Sequence, residues 1–270
     1  MMESRLPVMR TLRAAYRDWW RSLFALRMIV LGGFVIILAL AVADKFVPER
    51  LWDENLVGYV LGLVDDALWA FLLTPVVIAV HRFVIQGEIT RAYALPVGDP
   101  TFAIFFAWLF GLRILVGLPI DLLVVMQGLD WPPWASTLGA LVALIAAIAL
   151  SLRLSILLPA LAVKAPGATP SNALADTRSQ ALRIFAVFIL ALVPWAIADI
   201  VITLLLGRGI AVIGSPRMMI DLVIGAVSQT GVLILSAAIA SHAFRLLADQ
   251  INRAPKLRLT HPLSKHHSVE

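Results

Sequence analysis

Residues 101–125 read TFAIFFAWLFGLRILVGLPIDLLVV. As a helix rising about 1.5 Å per residue, this run reaches roughly 37 Å and crosses a hydrocarbon core of about 30 Å, with only Arg113 and Asp121 charged along it. A membrane-spanning helix is therefore expected here. The turn Leu95-Pro96-Val97-Gly98-Asp99-Pro100 opens it, and Trp131-Pro132-Pro133-Trp134 separates it from the next apolar run. Outward from this segment, five further runs have the same character: Met28 to Ala43, about Ala67 to Ile85, about Gly139 to Val163, about Arg183 to Leu206, and Ile220 to Leu247. The first is marginal unless part of Leu23 to Leu26 joins it. The pattern predicts an all-α fold, a polytopic integral membrane bundle of six transmembrane helices with cytoplasmic interfacial helices beside it.

Composition agrees. Of 270 residues, 61% are hydrophobic and 14% charged, and the mean hydropathy is +0.92, which excludes an ordinary soluble domain. No interval between the runs is long enough to fold a separate extramembrane domain. The organisation read from this is a basic amphipathic segment over 1–27, the six-helix domain over 28–248 and a polar tail over 249–270. With no cysteine, disulfides, thiol nucleophiles, iron–sulfur ligation and thiolate zinc sites are all excluded.

Basic residues set the expected orientation. One side holds only Lys45, Arg50, Arg208 and Arg217, Arg113 lies inside a span, and the remaining 17 of the 22 Lys and Arg residues fall on the other side. Both termini are then cytoplasmic. Trp52, Trp131 and Trp134 fall at the outer boundary and Trp19 and Trp20 at the inner one, where amphipathic rings prefer headgroups. The basic N-terminus, apolar run and Ala41-Val42-Ala43 also resemble a cleaved signal, but 27 residues of basic segment are too many for one, and retention as the first span is expected.

Two segments read as interfacial. On a helical wheel Met9, Leu12, Tyr16, Trp19, Trp20 and Leu23 share one side, and Arg10, Arg13, Arg17 and Arg21 another. Such a helix lies on the inner leaflet, with membrane lipids as partners and each arginine gaining about 1 kcal/mol from anionic headgroups. The second segment follows Thr169-Pro170, an N-cap and first-turn proline, and places Leu174, Ala181, Leu182 and Phe185 on a shared face. A plain connector packed on the bundle is the alternative.

The sequence carries a weak internal echo. Ile78-Ala79-Val80-His81-Arg82-Phe83 in the second span matches Ile239-Ala240-Ser241-His242-Ala243-Phe244 in the sixth, and Leu73-Thr74-Pro75 matches Leu157-Leu158-Pro159. A parallel repeat accounts for this, and so does chance among Leu, Ala and Ile strings. A wider resemblance rests on Leu152-Arg153-Leu154-Ser155-Ile156-Leu157-Leu158-Pro159-Ala160-Leu161-Ala162-Val163, on Ala173 to Phe185 after the Pro/Gly connector, and on Val80 to Glu88. These runs resemble YciC-like bacterial inner-membrane proteins and the six-helix membrane domain associated with glycerophosphodiester phosphodiesterases. The resemblance implies a fold and a bacterial inner-membrane location. It implies no catalytic residue, because the phosphodiesterase reaction belongs to a separate soluble domain, and Lys164-Ala165-Pro166-Gly167 departs from the family pattern at the connector.

No P-loop, dinucleotide turn, His-Glu-x-x-His or Gly-x-Ser-x-Gly pattern occurs. His81 and His242 sit at comparable helix ends, where they could converge, but two histidines without a third ligand do not make a metal site, so neither metal nor cofactor is expected. His261, His266 and His267 belong to the solvated tail, whose basic residues lack stacking aromatics and so are not expected to bind nucleic acid. The informative residues are the intramembrane charges Arg113, Asp121 and Asp199, costly unless paired or wetted. Either they line a polar cavity open to the outer side, or Arg113 makes one structural pair with Asp199 or Asp121 while Asp65, Asp66 and Asp221 cap helix N-termini. Pro75, Pro119, Pro159 and Pro194 add candidate kinks. The expected role is non-enzymatic, supporting envelope or lipid processes. A small-solute or lipid transporter using the Arg113 and Asp199 region is the alternative.

Overall fold

A computed structural model describes residues 6–48, 55–129, 131–206 and 215–252. Among them are nine helices and no strand: α1 (Val8–Ala25), α2 (Arg27–Asp44), α3 (Asn55–Gln86), α4 (Pro100–Gly128), α5 (Pro133–Leu154), α6 (Leu157–Ala162), α7 (Pro170–Asp176), α8 (Ala181–Leu206) and α9 (Pro216–Leu247). Six stretches are long and apolar enough to cross a membrane: α2, α3, α4, α8, α9, and α5 taken together with α6. The protein is an all-α membrane bundle.

Its helix starts are written in the sequence. Four of these helices begin on a proline, which loses nothing at a position whose N–H has no intrahelical acceptor. Three have a side-chain cap just before it. Asp99 accepts from the Thr101 N–H at 2.9 Å, Thr169 from Asn172 at 3.3 Å, and Ser215 from Met218 at 3.2 Å. The backbone and side-chain hydrogen bonds from Thr101 hold the Asp99 carboxyl below the usual carboxylate range.

Burial divides the spans into two kinds. Helices α3 and α9, each 32 residues, form the centre, whereas α2, α4, α5 and α8 keep most of their surface turned outward. Those outward faces are apolar, as in Leu141, Val142 and Ile145 of α5 or Ile197, Ile200 and Leu204 of α8, which is what a lipid solvent requires. Between α3 and α9 the packing uses small and branched side chains: Ala70, Leu73, Val77 and Val80 meet a wall that includes Ile234, Ala237 and Ala238. One close approach depends on glycine. A Cβ at Gly231 would stand 2.3 Å from Trp195 Cη2, so α8 reaches α9 only because that position is bare.

The start of the described chain, its end and the 163–180 connector meet at one end of the bundle. The Leu6 N–H donates to Gln180 Oε1 at 3.2 Å, the Gly167 N–H to the Ile251 carbonyl at 2.9 Å, and the Gln250 and Ile251 N–H groups to the Asp176 carboxylate at 3.0 to 3.1 Å. This is the arginine-rich end; the opposite one is called here the far end.

Several expectations are corrected. The second span starts at Asn55 rather than near Ala67, so Asp65 and Asp66 lie inside α3 and cap nothing. Asp221 is likewise internal to α9, 4.0 Å from Arg217, and Ser215 is the cap. The fourth span runs over Pro133–Ala162, but it is broken: α5 ends at Leu154, and Pro159 belongs to the short α6 after the turn instead of kinking one continuous helix. Pro75, Pro119 and Pro194 do lie inside helices. After Thr169-Pro170 the helix stops at Asp176 and another begins at Ala181, so Leu174 and Ala181 share no helical face. Trp52 and the 253–270 tail lie outside the described residues.

Candidate functional site

The site is built from Arg113 outward. On α4 this guanidinium lies among apolar neighbours, where a lone charge is expensive. Helix α3 supplies two groups three residues apart, hence on one face: Asp66 and Trp69. Arg113 Nε donates to Asp66 Oδ1 at 2.7 Å and Nη2 donates to the same oxygen, while the guanidinium carbon stands 4.1 Å from the centroid of the Trp69 ring. One carboxylate and one aromatic face thus neutralise and cover the cation.

Beside this pair is a cavity of about 470 Å³ between α2, α3, α4 and α9. Its polar lining is Asp44, Asp65, Arg113, Gln229 and Ser236, and Ile37, Leu40 and Ala41 of α2 give it an apolar wall. Among the described residues Arg113 is the one basic residue in the wall, and Asp66 already neutralises it. Among the described residues neither Asp44 nor Asp65 has an ion-pair partner within 4.0 Å. The cavity is therefore acidic on balance and lies toward the far end.

This corrects the expected constellation. Arg113 pairs with Asp66, and with neither Asp121 nor Asp199. Asp121 follows Arg113 by eight residues on α4 and does not line the cavity. Asp199 lies on α8 and accepts from the Ser228 hydroxyl at 3.1 Å, at an exposed position. The sequence takes Asp65 and Asp66 for helix caps and Asp44 for part of a polar boundary, because their runs look like span ends, and so misses all three as cavity carboxylates. The available signal was the run Asn55 to Val64, apolar enough to carry a helix past both aspartates.

A second polar cluster occupies the arginine-rich end. His81, fully buried on α3, has Nδ1 2.7 Å from Ser241 Oγ, and Ser241 Oγ donates to the Ala237 carbonyl at 2.8 Å. Nδ1 is then the donor, and Nε2 has no partner among the described residues. His242 turns the other way, with Nε2 2.9 Å from Asp18 Oδ2 of α1. The two histidines do not converge. Among the described residues no group of three or more His, Asp or Glu is arranged to hold a metal.

Helix α1 differs from its wheel. Its buried stripe is Thr11, Ala15, Asp18 and Ser22, small or polar throughout; Leu12, Tyr16, Trp19 and Leu23 flank it, half-buried. Of the apolar side only Met9 and Trp20 are exposed. Arg10, Arg13, Arg17 and Arg21 are all exposed, as the wheel required. The Tyr16 hydroxyl donates to the Ala191 carbonyl of α8 at 2.7 Å and the Trp19 indole to the Gly231 carbonyl of α9 at 3.0 Å, and burial raises the Tyr16 phenol above its ordinary range.

No family model, no curated protein and no solved structure matches this chain.

Proposed function

We propose that this membrane protein is not an enzyme and that it binds and carries a small polar solute, preferably cationic, through the far-end cavity. One observation carries the reading: Arg113, Asp65 and Asp44 all border a single space of about 470 Å³, with Asp66 bound to Arg113 beside it. Intramembrane charge is costly, and a structural role for Arg113 needs only one carboxylate. Two more, without ion-pair partners among the described residues, are accounted for by a wetted chamber that receives a cation. The transporter reading is thus preferred, and its centre moves from Arg113 and Asp199 to Arg113, Asp66, Asp65 and Asp44.

The setting follows from two further proposals. Kinship with the YciC-like and phosphodiesterase-associated membrane domains, on the runs quoted above, puts the chain in a bacterial inner membrane. The arginine count puts the arginine-rich end in the cytoplasm and opens the cavity outward.

Absence of cysteine makes the test direct. Gln229→Cys and Ser236→Cys should each react with a water-soluble maleimide in membranes, and Ser241→Cys, fully buried at the other end, should not. A panel of alkali cations and small amines should then include at least one that protects Ser236→Cys and raises the melting temperature of the wild type, with both effects lost in Asp65→Asn. A cavity that stays unreactive, or one that no member of the panel protects, would overturn the proposal.

A further inference from the structure

Helix α1 presents two outward surfaces that the cavity does not use. The first is cationic: Arg10, Arg13, Arg17 and Arg21 succeed one another at helical spacing and all are exposed. The only acid of the helix, Asp18, is 8% exposed and turned inward to His242. Its other oxygen is 3.6 Å from Arg17 and 3.8 Å from Arg21, whose side chains remain 62% and 64% exposed. The second surface is apolar. Trp20 and Phe24 stand exposed, ring against ring at 5.2 Å. After the break at Leu26, Met28, Leu31 and Val35 are exposed in turn along α2, a helix long and apolar enough to cross a membrane.

Helix α1 is also held firmly. Hydrogen bonds tie it to the bundle from Tyr16 to Ala191, from Trp19 to Gly231 and between His242 and Asp18, and Leu6 just before it bonds to Gln180. Those bonds fix its rotation about its own axis. The arginine row and the aromatic stripe are consequently presented in one orientation, without the ordering cost that a free amphipathic peptide would bear on binding.

We propose that the outward side of α1 is a preorganised binding surface for anionic phospholipids of the adjoining leaflet. The headgroup phosphates would line up along Arg10, Arg13, Arg17 and Arg21, and Trp20 and Phe24 would enter the boundary with the acyl chains. Charge complementarity selects this occupant, because four exposed guanidiniums, served by the single inward-turned carboxylate of Asp18, stand next to exposed aromatic side chains and match a phosphate bonded to a hydrocarbon tail. The inference is independent of the cavity reading.

Full-length protein purified in detergent and titrated with phosphatidylglycerol or phosphatidylcholine, with bound lipid counted by native mass spectrometry, tests it. Phosphatidylglycerol should bind at least about tenfold more tightly, on the scale of about fivefold for each arginine near a charged surface. The double variant Arg17→Gln, Arg21→Gln should lose most of that preference, whereas Arg91→Gln with Arg178→Gln, an equal loss of exposed charge outside α1, should retain it. Equal affinity for the two lipids, or an equal loss in both double variants, would overturn the proposal. Should the first double variant fail to fold, the wild type decides alone: its phosphatidylglycerol binding should weaken steeply as salt is raised, and salt-independent binding would reject a charge-selected surface.

Discussion

Arg113 was legible in the sequence and its partner was not. A lone arginine within a 25-residue run whose one other charge is Asp121 announces a cost that something must offset, but which carboxylate offsets it depends on which helices lie side by side and at what register. Helix α3 brings Asp66 to it, and Asp121 and Asp199 lie elsewhere. The pair is only partly enclosed, its side chains being 33% and 27% exposed, so Arg113→Ala should destabilise the detergent-solubilised protein by about 1 to 3 kcal/mol, below the range for fully buried pairs. Adding Asp66→Ala should recover part of that loss. Asp121→Ala and Asp199→Ala should merely add their own effects, because neither shares a contact with Arg113. Thermal melts of Arg113→Ala and the three double variants, set beside the single aspartate variants, check this, and rescue by Asp199→Ala instead of Asp66→Ala would show the pairing to be wrong.

Elements were legible where their punctuation is local. Asp99-Pro100, Thr169-Pro170 and Ser215-Pro216 each start a helix by a cap and a ring that need only neighbouring backbone. The beginning of α3 and the sidedness of α1 were not, for one shared reason. Asp65 and Asp66 look like a boundary until Arg113 and a cavity are present to accommodate them, and Asp18, Thr11 and Ser22 look solvent-facing until His242 and the neighbouring helices enclose them. Helix contact is decided at the same level by Gly231. Gly231→Ala would drive a methyl into the Trp195 ring and should lower stability by about 1 to 3 kcal/mol, read as an earlier melting transition. Trp195→Phe in the same chain should relieve part of it. If Gly231→Ala melts like the wild type, α8 and α9 do not meet there as described.

For the whole molecule the arginine asymmetry makes a claim about orientation that the bundle alone does not. Six spans require both termini on one side, and the hydrogen bonds of Leu6, Gly167 and Ile251 gather the ends of the described chain accordingly. Reporter fusions after Asp53, Pro132 and Arg208 should read the outer side, and fusions after Glu88, Gly167 and the C-terminus the cytoplasm. A single loop reporting from the wrong side would break the six-span arrangement.

The sequence by itself determined the class of fold, the number of spans and the presence of an intramembrane charge, because each follows from solvation summed along a run: hydrocarbon length, backbone satisfaction and the penalty on ions depend on no partner. Only the tertiary structure decided that α3 and α9 are central, that Arg113 belongs to Asp66 and that Asp44 and Asp65 share its cavity. Those are matters of register between helices. In an apolar bundle where Leu, Ala and Ile recur on every face, register is set by a few close contacts, such as bare Gly231 against Trp195, which the sequence lists without saying what they touch.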